Sequence, residues 1–255
     1  MLFRSDLFTD LQLVFFDTTS IYFEGEGGES LGEHGHTKDH RPDLKQMIVG
    51  TILDGQGRPI CCELWPGNTT DVKTLIPVVD RLRSRFGVNR VCIVADRGMI
   101  SKQTIEDLEN DERDWLYILG ARMRAQSEVR DEVISRGGRY QVVHPEREFS
   151  DDPSPLDVKE VWVGDHRYIV CRNQDEVRKD AADREAIVAS LREQLRSGAK
   201  SLVGNRGYRR YLSVSSPDSF QVDEAKIAED IRYDGKWVLR TNTEKDAAEV
   251  ALQYK

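Results

Sequence analysis

The chain has 255 residues, enough for one sizeable core or one core with an inserted module. Its 45 acidic against 37 basic side chains leave a net charge of -8, which argues against a surface that grips nucleic acid all over and allows only a local basic face. No apolar run approaches the roughly 20 residues of a membrane-spanning helix, and the first residues lack the basic start, apolar centre and cleavage site of a secretory signal, so the sequence reads as cytosolic with no membrane partner.

Two short apolar runs each lead into an aspartate: Leu13-Val14-Phe15-Phe16-Asp17 and Val91-Cys92-Ile93-Val94-Ala95-Asp96. Continuous blocks of this length, β-branched, aromatic or small, read as strands covered on both faces. An acid at the last step of such a strand looks into the crevice at the strand ends, where a buried charge needs a partner. Brought together on neighbouring strands, Asp17 and Asp96 make an all-oxygen site that suits Mg²⁺ or Mn²⁺. The alternative is that each aspartate caps the turn that follows it.

After the first strand and Ile21-Tyr22-Phe23 comes the glycine- and glutamate-rich stretch 24–30, a loop by composition. The segment from Gly35 to Asp43 is a polar lead-in whose Lys38 and Arg41 are candidate phosphate contacts, and His34 and His36 have no second ligand group to complete a zinc site. Lys45 to Leu53, the Asp54-Gly55 turn and Arg58 to Trp65 read as a hairpin, so the first strand opens a three-stranded meander. Pro66-Gly67-Asn68-Thr69-Thr70-Asp71 reads as a turn and helix cap, followed by a helix with Val72, Leu75, Ile76, Val79 and Leu82 at helical spacing and ended by Gly87. The second aspartate strand follows, then a helix opened by Ser101 and a fifth strand from Trp115 to Gly120. Three strands, helix, strand, helix, strand is the plan of a ribonuclease H-like fold.

Beyond Gly120 the pattern changes. Residues 121–140 are charged and weakly periodic, and Pro145, Pro153 and Pro155 mark a loop or boundary. Val158 to Val163, Gly164-Asp165 and His166 to Cys171 form a hairpin, and a helix runs from about Asp175 to Arg196 with Ile187, Leu191 and Leu195 on one face. Arg196, Lys200, Arg206, Arg209 and Arg210, interleaved with Tyr208 and Tyr211, suit either a phosphate-tracking surface or a basic helix end beside an exposed strand. A turn at Asp234-Gly235 leads into a last strand, and a helix begins at Ala247. Val250 and Leu252 on that helix are expected to be exposed apolar residues. Cys61, Cys62, Cys92 and Cys171 lack metal-ligand spacing and read as reduced, buried small residues.

Several stretches together resemble the catalytic core of insertion-sequence DDE transposases, in the insertion-sequence-four superfamily branch with a Tyr-Arg-Glu-Lys signature. They are Phe16-Asp17-Thr18-Thr19, 38–46, Pro66 to Asp71, Val94 to Met99, Gly204 to Tyr211, and Tyr233 to Thr243. The resemblance implies an α/β, ribonuclease H-like mixed sheet with helices, interrupted by an α+β insertion module. Residues 1–120 would be the core with the first two catalytic acids, 121–232 the insertion module, and 233–255 the return strand and the start of the catalytic helix.

It further implies that Asp17 and Asp96 are two of three acids holding two Mg²⁺ or Mn²⁺ ions for cleavage and strand transfer of double-stranded DNA. Arg97 either screens phosphate charge or is an ordinary surface arginine, the protein would be nucleoid-associated, and a homodimer on DNA is one assembly the resemblance allows, the sequence leaving the oligomeric state open. Tyr254 matches the tyrosine of the signature, and the arginine, glutamate and lysine that follow it in the family fall beyond Lys255. The expectation is therefore an incomplete core. Its alternatives are an inert remnant with residual DNA binding, or a nuclease of the same fold that uses its own acids such as Glu244 or Glu249. Lys38, Arg41, Arg97, Arg206, Arg209, Arg210 and Tyr254 are the candidate DNA contacts.

Overall fold

The computed structural model describes residues 13–25, 28, 30–36, 41–86, 92–110, 115–197, 206–216 and 219–255. Along the chain the elements are β1 (Leu13–Tyr22), β2 (Gln46–Asp54), β3 (Pro59–Pro66), α1 (Leu75–Phe86), β4 (Cys92–Ala95), α2 (Lys102–Leu108) and β5 (Leu116–Gly120). They continue with β6 (Gln141–His144), β7 (Leu156–Val163), β8 (His166–Arg172), α3 (Gln174–Ser197), α4 (Arg206–Arg209), β9 (Leu212–Ser216), β10 (Ser219–Val222), α5 (Glu224–Ile231), β11 (Lys236–Thr241) and α6 (Ala247–Tyr254). The expected order of strands and helices through Gly120 is observed.

Contacts divide the chain into two units. The first comprises Met1–Arg122, Gly164–Ile169 and Leu239–Lys255, and the second Met123–Val163 and Val170–Val238. The first is mixed α/β, with strands in the order β3-β2-β1-β4-β5-β11. β1, β2 and β3 form the antiparallel meander, β4 runs parallel to β1 and to β5, and Leu239 to Thr241 of β11 pair antiparallel with β5.

Alternation along these strands sorts the two faces of the sheet. Val14, Phe16, Ile52, Ile93 and Ala95 point into one core with Leu75, Val78, Val79 and Leu82 of α1 and Ile105 and Leu108 of α2. Ser101 caps α2 through a reciprocal pair with Thr104, as its position before the apolar residues predicts. Gly87 lies outside the described residues.

On the opposite face α6 lies against β4. Val250 is fully buried there and Leu252 is 45% exposed, so only the second of these two residues is the exposed apolar one expected. The helix turns its Val250–Ala251 side to the sheet, which removes Val250 from water. β11 is fastened to β5 by polar side chains. Thr241 Oγ1 donates to Tyr117 O at 2.7 Å, Asn242 Nδ2 donates to Trp115 O at 2.9 Å, and Tyr117 N donates to Asn242 Oδ1 at 2.8 Å. Arg240 donates to the Tyr117 hydroxyl of β5 at 3.3 Å and pairs with Glu109 at the end of α2 at 2.8 Å.

In the second unit, α3 buries Val188 and Leu191 against Tyr211 and Leu212, with Leu195 and Ile187 partly covered. Sequence periodicity missed β6, which pairs with β7, and α5, whose N-cap Asp223 accepts from Lys226 N. A π-helical turn, Glu128–Val133, buries Val129 and Val133 within the segment that reads as weakly periodic. None of the four cysteines is in a disulfide; Cys92 and Cys171 are buried as expected, whereas Cys61 is half-buried and Cys62 is exposed on β3. Burial pushes the Cys92 thiol up to about 12, so it stays protonated and inert. Among the described residues no helix is long and apolar enough to cross a membrane.

Candidate active site

Asp17 does not end its strand. β1 runs five residues further, to Tyr22, because Asp17 to Tyr22 remain paired with β2. What ends at Phe16 is the pairing with the parallel neighbour: Phe16 pairs with Ala95, the last residue of β4, so Asp17 and Asp96 are the next residue on each strand. Parallel register therefore places the two acids side by side where the parallel pair opens. Both carboxylates are exposed, in contrast to the buried charge expected, because the departure of β4 from β1 leaves the position open to solvent.

Asp17, Asp96 and Tyr254 line one cavity of about 300 Å³, whose floor is apolar and includes Phe15, Leu53 and Val94. Asp17 Oδ1 accepts from the amide of Thr18 at 2.7 Å. Asp96 Oδ1 accepts from the Tyr254 hydroxyl at 3.0 Å, delivered from the last turn of α6. After Asp96 the chain makes a short turn, Arg97–Met99, which Arg122 holds through Nε to Arg97 O at 3.0 Å and its second nitrogen to Gly98 O at 3.2 Å. No sequence signal marks Arg122 for this task.

Gly120 makes room for the tyrosine. A Cβ at this last position of β5 would stand 2.5 Å from Tyr254 Oη and 2.9 Å from Arg97 N. Gly120→Ala is therefore expected to lift Tyr254 from Asp96 and to cost about 1–3 kcal/mol, the usual range for overpacking. The cost should be smaller in a Tyr254→Phe background, where the hydroxyl is gone. Urea melts of the two single variants and the double variant read this coupling, and equal costs in both backgrounds would contradict the packing described.

The donor set is two carboxylates with no histidine or cysteine in the cavity, which fits a hard, oxygen-seeking divalent cation and not zinc or copper. Among the described residues no group of three or more His, Cys, Asp or Glu side chains is placed to hold a metal ion. The acids after β11 have other tasks. Asp246 caps α6 by accepting from Glu249 N at 2.8 Å, Glu249 pairs with Lys245 and accepts from Gln253, and Glu244 is exposed before the helix.

The basic candidates among the described residues fall in both units. Lys38 lies outside the described residues. Arg41 is exposed and pairs with Asp43 at 3.1 Å, and Arg97 is exposed directly beside Asp96. Arg206 and Arg209 bound α4 in the second unit, with Arg209 exposed, and Arg210 pairs with the buried Asp230. Tyr254, also a candidate DNA contact, donates its hydroxyl to an acid of the pair.

No curated protein matches the chain. Among solved structures it is similar to a piggyBac transposase synaptic complex with hairpin DNA, at 9% identity and a TM-score of 0.39, over 95% of this chain and 37% of that one. A sequence model of the transposase DDE domain matches residues 9–249, nearly the full length, and the chain belongs to that transposase DDE domain family.

Proposed function

We propose that the chain is the catalytic domain of a DNA transposase of the insertion-sequence-four superfamily, acting on double-stranded DNA by metal-dependent strand cleavage and strand transfer. The observation that carries this reading is the register of β1 and β4, which sets Asp17 beside Asp96 at the mouth of one cavity. In this reading residues 1–120 and 233–255 form a ribonuclease H-like core and 121–232 an insertion module.

Asp17 and Asp96 are the residues that would hold Mg²⁺ or Mn²⁺. The bound ion supplies Lewis acidity towards a phosphodiester. The Thr18 amide orients Asp17 and the Tyr254 hydroxyl orients Asp96, so both carboxylates are held by neighbours before a ligand arrives. Arg97 stands next to the pair and meets phosphate charge as DNA enters, with Lys38, Arg41, Arg206, Arg209 and Arg210 as further phosphate contacts.

Electrostatics make the reading testable. Two exposed carboxylates in a chain of net charge -8 repel a phosphodiester, and a divalent cation held by them would cancel that local charge. Binding of a short duplex, followed by fluorescence anisotropy, is therefore expected to strengthen when Ca²⁺ is added. The gain should be absent from the Asp17→Asn/Asp96→Asn variant. DNA affinity indifferent to both the cation and the two aspartates would contradict the proposal.

A further inference from the structure

Asp71 sits in the turn after Gly67, where the sequence suggests a helix cap. Its side chain does something else. Asp71 Oδ1 accepts from Thr18 Oγ1 at 2.8 Å, across 53 positions of sequence. Capping duty falls on its main chain, whose carbonyl accepts from Thr74 N at 3.1 Å and Thr74 Oγ1 at 2.6 Å, while Thr70 at the cap position makes no side-chain cap bond.

Thr18 is only 4% exposed, and its amide is the one that donates to Asp17 Oδ1. The other side of Asp71 reaches the second acid's segment. Its short turn, Asp71–Lys73, packs against the turn Arg97–Met99 that follows Asp96. A Cβ at Gly98 would lie 3.7 Å from Asp71 Oδ2 and 3.9 Å from Asp96 Oδ2, so both carboxylates flank the same glycine.

We infer that Asp71 is a positioning residue for the acid pair: through Thr18 on one side and the Gly98 turn on the other, it fixes the spacing of Asp17 and Asp96. Its bond with Thr18 joins a neutral hydroxyl to a carboxylate oxygen, and an amide oxygen can accept the same bond. This distinguishes a brace from a third metal ligand, for which the charge is the working part. The functional consequence rests on the reading of Asp17 and Asp96 as the cation pair, whereas the brace itself does not.

The test uses the full chain and two readouts. Without metal, backbone hydrogen exchange in peptides covering 13–22 and 92–99 is expected to accelerate in Asp71→Ala and in Thr18→Val, and to stay near wild type in Asp71→Asn and Thr18→Ser. With metal, Mn²⁺ affinity is expected to fall about tenfold in Asp71→Ala and Thr18→Val, as for other loss of outer-shell support. The Asp71→Ala/Thr18→Val double variant should lose less than the sum of the two single ones, since both remove the bond they share.

If Asp71→Asn loses as much as Asp71→Ala in either readout, the brace is overturned in favour of a role for the charge. Should the wild-type chain bind no Mn²⁺, the cation-pair reading fails by itself, and hydrogen exchange alone decides the brace: unchanged exchange in Asp71→Ala overturns it. Thr18→Ser serves as the control for folding, because it keeps the hydroxyl and removes only a methyl group.

Discussion

Asp230→Ala is expected to destabilise the second unit by about 1–3 kcal/mol, the range for leaving a buried hydrogen-bond donor without its acceptor, since the Arg124 and Arg210 partners are half-exposed. Asp230 is 5% exposed near the end of α5. It accepts from the Tyr211 hydroxyl at 2.6 Å, pairs with Arg124 at 2.6 Å and with Arg210, and lies 4.0 Å from Arg184. Arg184 is itself buried and bidentate on Asp234 at 2.5 and 2.7 Å. Removing one carboxylate leaves a buried tyrosine hydroxyl without its acceptor and three guanidinium groups around one fewer charge.

Acid titration follows the same logic. Burial pushes the Asp230 carboxyl up, but the Tyr211 hydrogen bond and the Arg124 and Arg210 charges outweigh it and hold the group below the usual carboxylate range. Tyr211 is pushed the other way, to about 12, by burial and by the carboxylate beside it. A depressed acid contributes stability that is complete above its unfolded value of about 3.9 and is lost as pH falls through the folded value. Urea melts of the full chain at neutral and at acid pH check both statements. Wild type and Asp230→Asn should converge at acid pH, and an Asp230→Ala cost below about 1 kcal/mol at neutral pH would contradict the network's role.

The second large effect is expected at Gly67, in the Pro66 to Asp71 stretch. A Cβ there would fall well inside contact distance of the Gln46 and Glu33 carbonyl oxygens. Three backbone segments meet at this point. Gly67 N donates to Leu31 O at 3.0 Å, the fully buried Gln46 side chain donates to Gly67 O at 2.8 Å, and Glu33 and Gln46 exchange main-chain bonds at 3.0 and 2.9 Å. Since backbone, unlike a side chain, cannot rotate aside, Gly67→Ala should reach or exceed about 3 kcal/mol, the upper end for overpacking. The damage should also spread to Asp71, four residues on. Denaturant melts with the Mn²⁺ affinity of the folded fraction read both effects, and a variant as stable as wild type would show that the three segments can part.

The strands and helices of the first unit were legible because each carries a plain local signal. β4 is a block of four buried apolar residues, α2 opens on Ser101, and α6 starts where Asp246 stands at its N-cap. Asp17 and Asp96 stood out for the same reason, as charges abutting apolar runs. Their environment was not legible: whether Asp17 ends β1 depends on β2, whose pairing continues past it, and this is a tertiary fact.

The roles of Asp71, Arg122 and Tyr254 were hidden similarly. Each acts across 24 or more positions of sequence, on Thr18, on the Arg97 and Gly98 carbonyls and on Asp96, and the local spacing of Asp71 signals only a cap. In the second unit β6 is short and polar at its start and offers little periodicity, whereas α5 carries at Asp223 the same N-cap signal as α6 and was legible in principle.

The central claim is that Asp17 and Asp96 act together on one divalent cation. It is tested most directly by titrating the full chain with Mn²⁺, followed by electron paramagnetic resonance of the free ion, beside the Asp17→Asn, Asp96→Asn and double variants. The account predicts saturable binding by the wild type, weakened by either single substitution and absent from the double variant. Equal Mn²⁺ binding by the wild type and the double variant would contradict it.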